Sequence, residues 1–328
     1  RLTSIGETIS TLVVKSELAK KGYVVDTVTN AELGILTDSH HQNATITTVE
    51  GKHILDKLKN ADIVICPGFQ GYSQNGKITT LGRGGSDLSA VAIGVAIDAN
   101  EVEIYSDVNG IYTADPRIVP DAMKLNYISY SEMLELSKNG AKVLNHRCVQ
   151  LAAKHDIVIH ARSSFDESQG TYVLGDEKIM KDHLNQFIIS GITGSQNEAR
   201  ITLVGVDAKV NGAGELFEKI ADANVNVNVF SQALVGGGRM DISLIINDKD
   251  VPAVVEVIND LKETLQAKKT IVRGNIGKVA VIGVGIKNNK GMFQKVYNTL
   301  MSHDINVEMT SCSEIMSKEH RFYYMKHS

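Results

Sequence analysis

Residues 81 to 87 read Leu81-Gly82-Arg83-Gly84-Gly85-Ser86-Asp87. Three glycines surround one arginine, and a Ser-Asp pair closes the turn. Glycine lets main-chain N–H groups approach an anion with no Cβ in the way. Arginine adds a planar fork of donors suited to a carboxylate or phosphate. Asp87 is a natural partner for an amine or a metal-bound phosphate. A second dense string follows, Tyr105-Ser106-Asp107-Val108-Asn109-Gly110-Ile111-Tyr112-Thr113-Ala114-Asp115-Pro116-Arg117. Within it Asp107, Tyr112, Asp115 and Arg117 place carboxylates, a ring and a cation within one loop length. Tyrosine can cover an adenine face and arginine can hold a phosphate. The first string suits a small zwitterion; the second suits a nucleotide. Asp115-Pro116 alone would be an ordinary turn, and Ser86 reads as the N-cap of a following helix.

The elements that must carry these strings alternate. Residues 7–21 repeat apolar positions at helical spacing and stop at Gly22. Strands are expected at 23–28, 62–66, 102–105 and 157–161. Helices are expected at 53–60, 87–98, 131–139 and 149–154. This alternation predicts an open α/β sheet covered on both faces. Ligands in such sheets gather at the carboxyl ends of strands, and both strings follow strand ends. On residue type alone, Lys142 is a surface lysine, and Glu7 is a carboxylate favoured at a helix start.

From about residue 186 the pattern changes to βαββαβ: strands at 199–206, 225–230, 240–246 and 270–272, helices at 214–224 and 251–265. Its first half recurs. Gly205, Phe217, Val227 and Ser231 match Gly285, Tyr297, Val307 and Ser311, each 80 positions on. Matched apolar positions at that period predict two copies of one small α+β module. Only 16 residues follow Cys312, too few for a strand, a helix and a strand, so the second copy is expected to be incomplete. The stretch Arg321 to Met325 fits no expected strand of that module.

The bulk numbers exclude several classes. With 328 residues the chain suits two or three domains. Its net charge of −4, without a basic block or a tryptophan, argues against a nucleic-acid partner. No apolar run approaches the roughly 20 residues needed to span a bilayer, no signal peptide opens the chain, and no membrane partner is expected. Cys66, Cys148 and Cys312 are far apart and lack metal-ligand spacing, which fits a reduced, cytoplasmic protein. The histidines, His40, His41 and His146 among them, show no metal-ligand spacing either, and no protein-bound metal ligand is assigned.

Together, Ile78 to Asp87, Ser106-Asp107-Val108-x-Gly110-Ile111-Tyr112-Thr113-x-Asp115-Pro116-Arg117, Gly140-Ala141-Lys142-Val143-Leu144, Asn197-Glu198-Ala199-Arg200 and Pro67 to Gly71 resemble the aspartokinase family, colinearly and over nearly the whole chain. The resemblance implies an amino-acid-kinase domain with a Rossmann-like open sheet over residues 1–185, then ACT-type α+β modules over 186–273 and 274–328. It implies transfer of a phosphoryl group from ATP, with Mg²⁺, to the β-carboxylate of L-aspartate. That product opens lysine, threonine and methionine biosynthesis. By motif position, Glu7, Arg83, Gly84, Gly85, Ser86 and Asp87 would bind aspartate. Ser106, Asp107, Tyr112, Arg117 and Lys142 would line the nucleotide site, and Arg83, Asp87 and Lys142 would be catalytic. The β-carboxylate is ionised at neutral pH and needs no general base.

The same resemblance implies feedback by lysine, threonine or both, at Asp207 to Ala213 (Gly212 included), Asn226, Val227, Asn228, Gln232, Asn306, Val307 and Glu308. It also implies a homodimer or larger homo-oligomer formed through the ACT modules. The family's amino-terminal strand and Lys-Phe-Gly-Gly loop do not occur in residues 1–328, so this stretch taken alone is expected to lack kinase activity. Two other readings stand beside this one: a different enzyme of the same fold, acting on glutamate, acetylglutamate, carbamate or UMP, or a non-catalytic amino-acid-binding regulatory subunit.

Overall fold

The computed structural model describes residues 2–182, 189–208, 212–283, 286, 291–315 and 319–327. The chain divides into two compact units, Arg1–Gly191 and Ile192–Ser328. No described helix is long and apolar enough to cross a membrane.

Unit 1 runs α1 (Leu2–Lys20), β1 (Val25–Thr27), β2 (Ile35–Thr37), β3 (Ile46–Val49), α2 (Lys52–Leu58), β4 (Ile63–Ile65), β5 (Gln70–Ser73), β6 (Ile78–Thr80) and α3 (Gly85–Ala96). It continues with β7 (Glu101–Ser106), β8 (Tyr127–Ser129), α4 (Tyr130–Lys138), α5 (His146–His155), β9 (Val158–Ser163), β10 (Thr171–Leu174) and α6 (Asp176–Asp182). β1 and β4 pair in parallel, as expected for βαβ connections. A second sheet has the order β7-β9-β10-β8. In β7 the pattern alternates strictly: Val102 and Ile104 are buried, while Glu101, Glu103 and Tyr105 face outward. α3 covers the inward side with Leu88, Val91 and Ala92, all buried.

A third sheet, β3-β2-β5-β6, was not foreseen. Its strands are three or four residues long, and their buried positions include Thr37, Gln70, Ser73 and Thr79. Such polar residues read as loop. Thr37 and Thr79 are satisfied by each other, through their hydroxyls at 2.6 Å, and Ser73 Oγ donates to Lys77 O at 3.2 Å. The strands β8 and β10 were likewise not foreseen. Ser86 is not an N-cap: α3 begins at Gly85, two residues before the expected start at 87. Its cap is Gly84, in the left-handed region with φ 72° and no side-chain bond.

Unit 2 runs β11 (Gly191–Asp207), α7 (Gly212–Asp222), β12 (Val229–Gly236), β13 (Arg239–Asn247), α8 (Val251–Asp260), α9 (Lys262–Leu265), β14 (Lys269–Gly283), α10 (Met292–Met301), β15 (Thr310–Ile315) and β16 (Glu319–His327). They form one six-stranded sheet, β12-β13-β11-β14-β16-β15. Its core gathers Ile201, Leu203, Leu216, Ile242, Leu244 and Val254. The expected helix over 251–265 breaks at Leu261, whose backbone leaves helical geometry while its side chain stays buried. The strand expected at 225–230 begins only at Val229.

The internal repeat has a structural signature. Ser231 pairs with Ser243 across β12 and β13, and Ser311 pairs with Tyr323 across β15 and β16. Both hairpins therefore share one register at the offset of 80. Both helix ends use a left-handed residue, Asn224 (φ 56°) and Asp304 (φ 55°). Each is followed by the same closing bond, Val225 N–H to Ile220 O and Ile305 N–H to Leu300 O. Gly285 and residues 209–211 lie outside the described residues. The tail stretch expected to fit no strand is in fact β16, paired on one side with β14 and on the other with β15.

Candidate active site

The Arg83 loop leaves the unforeseen sheet at β6 and enters α3. Leu81 is fully buried, and its N–H donates to Phe69 O at 3.0 Å. That bond ties the loop to the Pro67–Gly71 turn that follows β4. Ser89 holds the same turn, accepting from Phe69 N–H at 3.0 Å and donating to Gly85 O at 2.8 Å. Gly82 and Gly84 both have positive φ, 79° and 72°. A Cβ on Gly84 would lie 2.3 Å from Asn145 Nδ2, and one on Gly82 would lie 2.8 Å from Asn43 Oδ1. These two glycines thus serve close packing of neighbouring side chains as well as a backbone turn. Arg83 itself is exposed, as is Ser86.

Asp87 stands half-buried in the first turn of α3. Burial raises its carboxyl above the usual 3.8, while N–H donors of Asn145 and of its own backbone pull it partly back. Its neighbour Cys148 is fully buried. Burial first, and the Asp87 charge second, push that thiol up to about 12. Cys148 is therefore an inert packing thiol beside the loop, and its Sγ–H donates to Asn145 O at 2.9 Å.

The second string leaves the carboxyl end of β7. Ser106 Oγ closes a short turn with Val108 at 3.3 Å. The Tyr112 hydroxyl donates to Asn109 Oδ1 at 2.6 Å. Arg117 grips Asp115 with two bonds, Nε to Oδ1 at 3.0 Å and Nη2 to Oδ2 at 2.8 Å. That guanidinium brings the Asp115 carboxyl down to about 2, with a smaller contribution from Lys142. Asp115 in turn raises Arg117, and Asp107 adds to the effect. Asp107, Asp115, Arg117 and Lys142 thus form one mixed-charge cluster.

The connection between α4 and α5 bonds to the first loop and lies within electrostatic reach of the second. Lys142 acts on Asp115. Three residues on, Asn145 Nδ2 donates to Arg83 O at 2.9 Å. Asn145 and Arg147 had no assigned role in the sequence, and nothing in the local pattern marks them, because their partners lie more than sixty positions away. Glu7 sits on α1, whose first turns share a shallow cleft with Asn30 and Ile78 at the start of β6. Among the described residues no hydrogen bond or ion pair joins Glu7 to Arg83 or Asp87.

The regulatory candidates spread across unit 2. Asn228 donates to Glu198 Oε2 at 2.9 Å, and Glu198 lies 3.7 Å from Lys278, its counterpart 80 positions on. Glu308 receives Arg200 at 2.9 Å. Gln232 is exposed on β12, one edge of the sheet, whereas Asn306 to Glu308 lead into β15, the other edge. Asp207 pairs with Arg239 in the ladder, and Gly212 and Ala213 start α7 against the core. His40 and His146 are exposed, and the exposed His41 ring nitrogen lies 3.3 Å from Ile78 O. The described residues hold one group with metal-like grouping, Glu101, Glu103 and His160. Its Glu103 carboxylate already receives Arg162 and the Tyr105 hydroxyl, each at 2.8 Å.

Residues 1–163 match the model of the amino acid kinase family, which fits a βαβ core with charged loops at strand ends. The chain is 38% identical over 323 residues to an aspartokinase of Helicobacter pylori, covering 96% of this chain and 77% of that one. The solved aspartate kinase of Clostridium acetobutylicum resembles it with a TM-score of 0.79 at 25% identity, over 99% of this chain and 71% of that chain. Aspartokinase III of E. coli in complex with lysine and aspartate gives a TM-score of 0.70 at 26% identity, over 97% and 70%. The chain belongs to the aspartokinase family.

Proposed function

We propose that the chain phosphorylates the β-carboxylate of L-aspartate with ATP, giving 4-phospho-L-aspartate and ADP, the entry step to lysine, threonine and methionine. The observation that carries this reading is the bond from Asn145, at the end of the α4–α5 connection, to the Arg83 loop, with Lys142 of the same connection within electrostatic reach of Asp115. A phosphotransferase needs its acceptor and donor corners held by one element, because its catalysis is mostly placement and charge neutralisation.

Arg83 takes the α-carboxylate, and Asp87 with Glu7 takes the ammonium. Main-chain N–H groups of Gly84 and Ser86 at the start of α3 face the transferring phosphoryl group, while that of Gly85 closes the turn on Gly82 O at 2.9 Å. Lys142 and Arg117 hold phosphate oxygens, Tyr112 covers the base, and Ser106 and Asp107 border the same corner. The mixed charge of that corner suits a magnesium-bound polyphosphate, with lysine and arginine for phosphate and carboxylates toward the metal. When bound, Mg²⁺ neutralises phosphate charge. Unit 2, with its repeated hairpins, reads as two ACT-type modules. The solved complex of the E. coli enzyme with lysine supports an amino-acid effector there; in this reading that effector is lysine or threonine, and the chain assembles as a homo-oligomer through these modules. The free thiols Cys66 and Cys148 suit a cytoplasmic enzyme.

The test is ADP release by the protein purified from its source organism, with ATP·Mg²⁺ and a panel of acceptors. Release is expected with aspartate. Release with glutamate, acetylglutamate, carbamate or UMP in its place would overturn the reading.

A further inference from the structure

Arg147 lies outside every motif assigned to substrate or nucleotide, yet its guanidinium makes three hydrogen bonds. Nη1 donates to Leu81 O at 2.7 Å and to Asn43 Oδ1 at 3.2 Å, and Nη2 donates to Ala44 O at 2.7 Å. The acceptors belong to two strand-end segments, the 38–45 connection between β2 and β3 and the 81–85 connection between β6 and α3. A backbone bond joins the same segments, Ala44 N–H to Thr80 O at 3.0 Å.

Asn145, the N-cap of α5, completes the arrangement. Its Oδ1 accepts from Arg147 N–H at 2.9 Å, while its Nδ2 donates to Arg83 O. Only one orientation of the amide satisfies both bonds. Alternate carbonyls of the loop, Leu81 and Arg83, are therefore gripped by two residues of the first turn of α5.

We infer that Arg147, with Asn145, is a positioning residue for the amino-acid substrate: it staples the Leu81–Gly85 loop to α5 and so sets where the Arg83 side chain and the Gly84 N–H group point. The inference rests on the functional reading above. Its physical basis is the planar fork of arginine, which reaches three acceptors in fixed directions. A lysine ammonium in its place leaves part of that set unsatisfied. The collision distances at Gly82 and Gly84 belong to the same device, since Asn43 and Asn145 fill the space each glycine leaves.

The experiment compares the unaltered protein with Arg147→Lys and Arg147→Ala by titration calorimetry, using aspartate and ADP·Mg²⁺ as ligands, and by amide hydrogen exchange. Arg147→Lys is expected to weaken aspartate about 10-fold or more and Arg147→Ala further, with nucleotide affinity kept within about twofold. Methylguanidine added to Arg147→Ala is expected to restore part of the aspartate affinity. Amides of residues 82–85 are expected to exchange faster in Arg147→Lys, with α3 beyond its first turn unchanged. Equal aspartate affinity in the unaltered protein and Arg147→Lys, or unchanged exchange at 82–85, overturns the inference. Failure of the functional reading looks different: the unaltered protein then binds no aspartate, while the exchange data still decide the staple.

Discussion

The loops around Arg83 and Asp115 are both rich in glycine and charge and both are anchored by distant residues, yet they differ in how their charged side chains are paired. The Arg83 loop is fixed from a distance. Its carbonyls are taken by Asn145 and Arg147, and its glycines pack against side chains from two other connections. In the Asp115 loop the polar side chains pair with one another over two or three positions, Ser106 with Val108, Tyr112 with Asn109 and Arg117 with Asp115, while its backbone is anchored at Ile111, which donates to Thr171 Oγ1 and accepts from Leu125 N–H, both at 2.8 Å. The difference matches the two tasks proposed for these loops. An amino acid offers few atoms, and its reacting carboxylate must sit within a fraction of an ångström of its target. A nucleotide offers a long flexible polyphosphate, which mobile surface cations can follow.

The comparison can be broken most forcefully at Gly84. A methyl group there meets Asn145 at 2.3 Å on a backbone with φ 72°. Gly84→Ala is expected to lower aspartate affinity by about 100-fold, with ADP·Mg²⁺ binding retained. Equal loss of both ligands would mean that the two loops are not independently held.

A smaller effect is expected in the other loop. Arg117→Ala frees Asp115 in an exposed pair, where water and salt already screen the charges. The KM for ATP should rise several-fold, more at low salt than at high, with the KM for aspartate unchanged. An aspartate defect of the same size would merge the two corners into one.

The smallest effect concerns acidity. Burial holds the Asp87 carboxyl above the ordinary 3.8. In the proposed site its charged form is the one that pairs with the substrate ammonium, so ligand binding must release the proton wherever Asp87 is protonated. Aspartate affinity should therefore fall as pH is lowered, beginning above the pH at which an ordinary aspartate protonates. Asp87→Asn should bind weakly and lose that limb. The sign for stability is the reverse: a carboxyl with a raised folded pKa favours the fold at low pH and disfavours it as pH rises through that value. A mild rise in the melting temperature of Asp87→Asn at neutral pH is the corresponding check.

The same contrast explains what could be read from the chain. The Asp107–Arg117 string was legible because its partners are near neighbours in sequence. The repeat in unit 2 was legible because apolar positions recur at a fixed offset, and the matched hairpin registers follow from it. The staple was not legible, since Arg147 and Leu81 are 66 positions apart and only the fold joins them. The sheet β3-β2-β5-β6 was hidden for a related reason: its buried threonines are satisfied by each other, a pairing no local window contains. The start of α3 was misread because a glycine in left-handed geometry took the place that serine or aspartate usually fills.

The central claim is that Arg83 clasps the amino-acid substrate. Titrating aspartate into the unaltered protein and into Arg83→Gln, with ADP·Mg²⁺ as the second ligand, tests it directly. The account predicts that the substitution abolishes measurable aspartate binding and leaves nucleotide binding in place. Aspartate binding equal in the two proteins would contradict it.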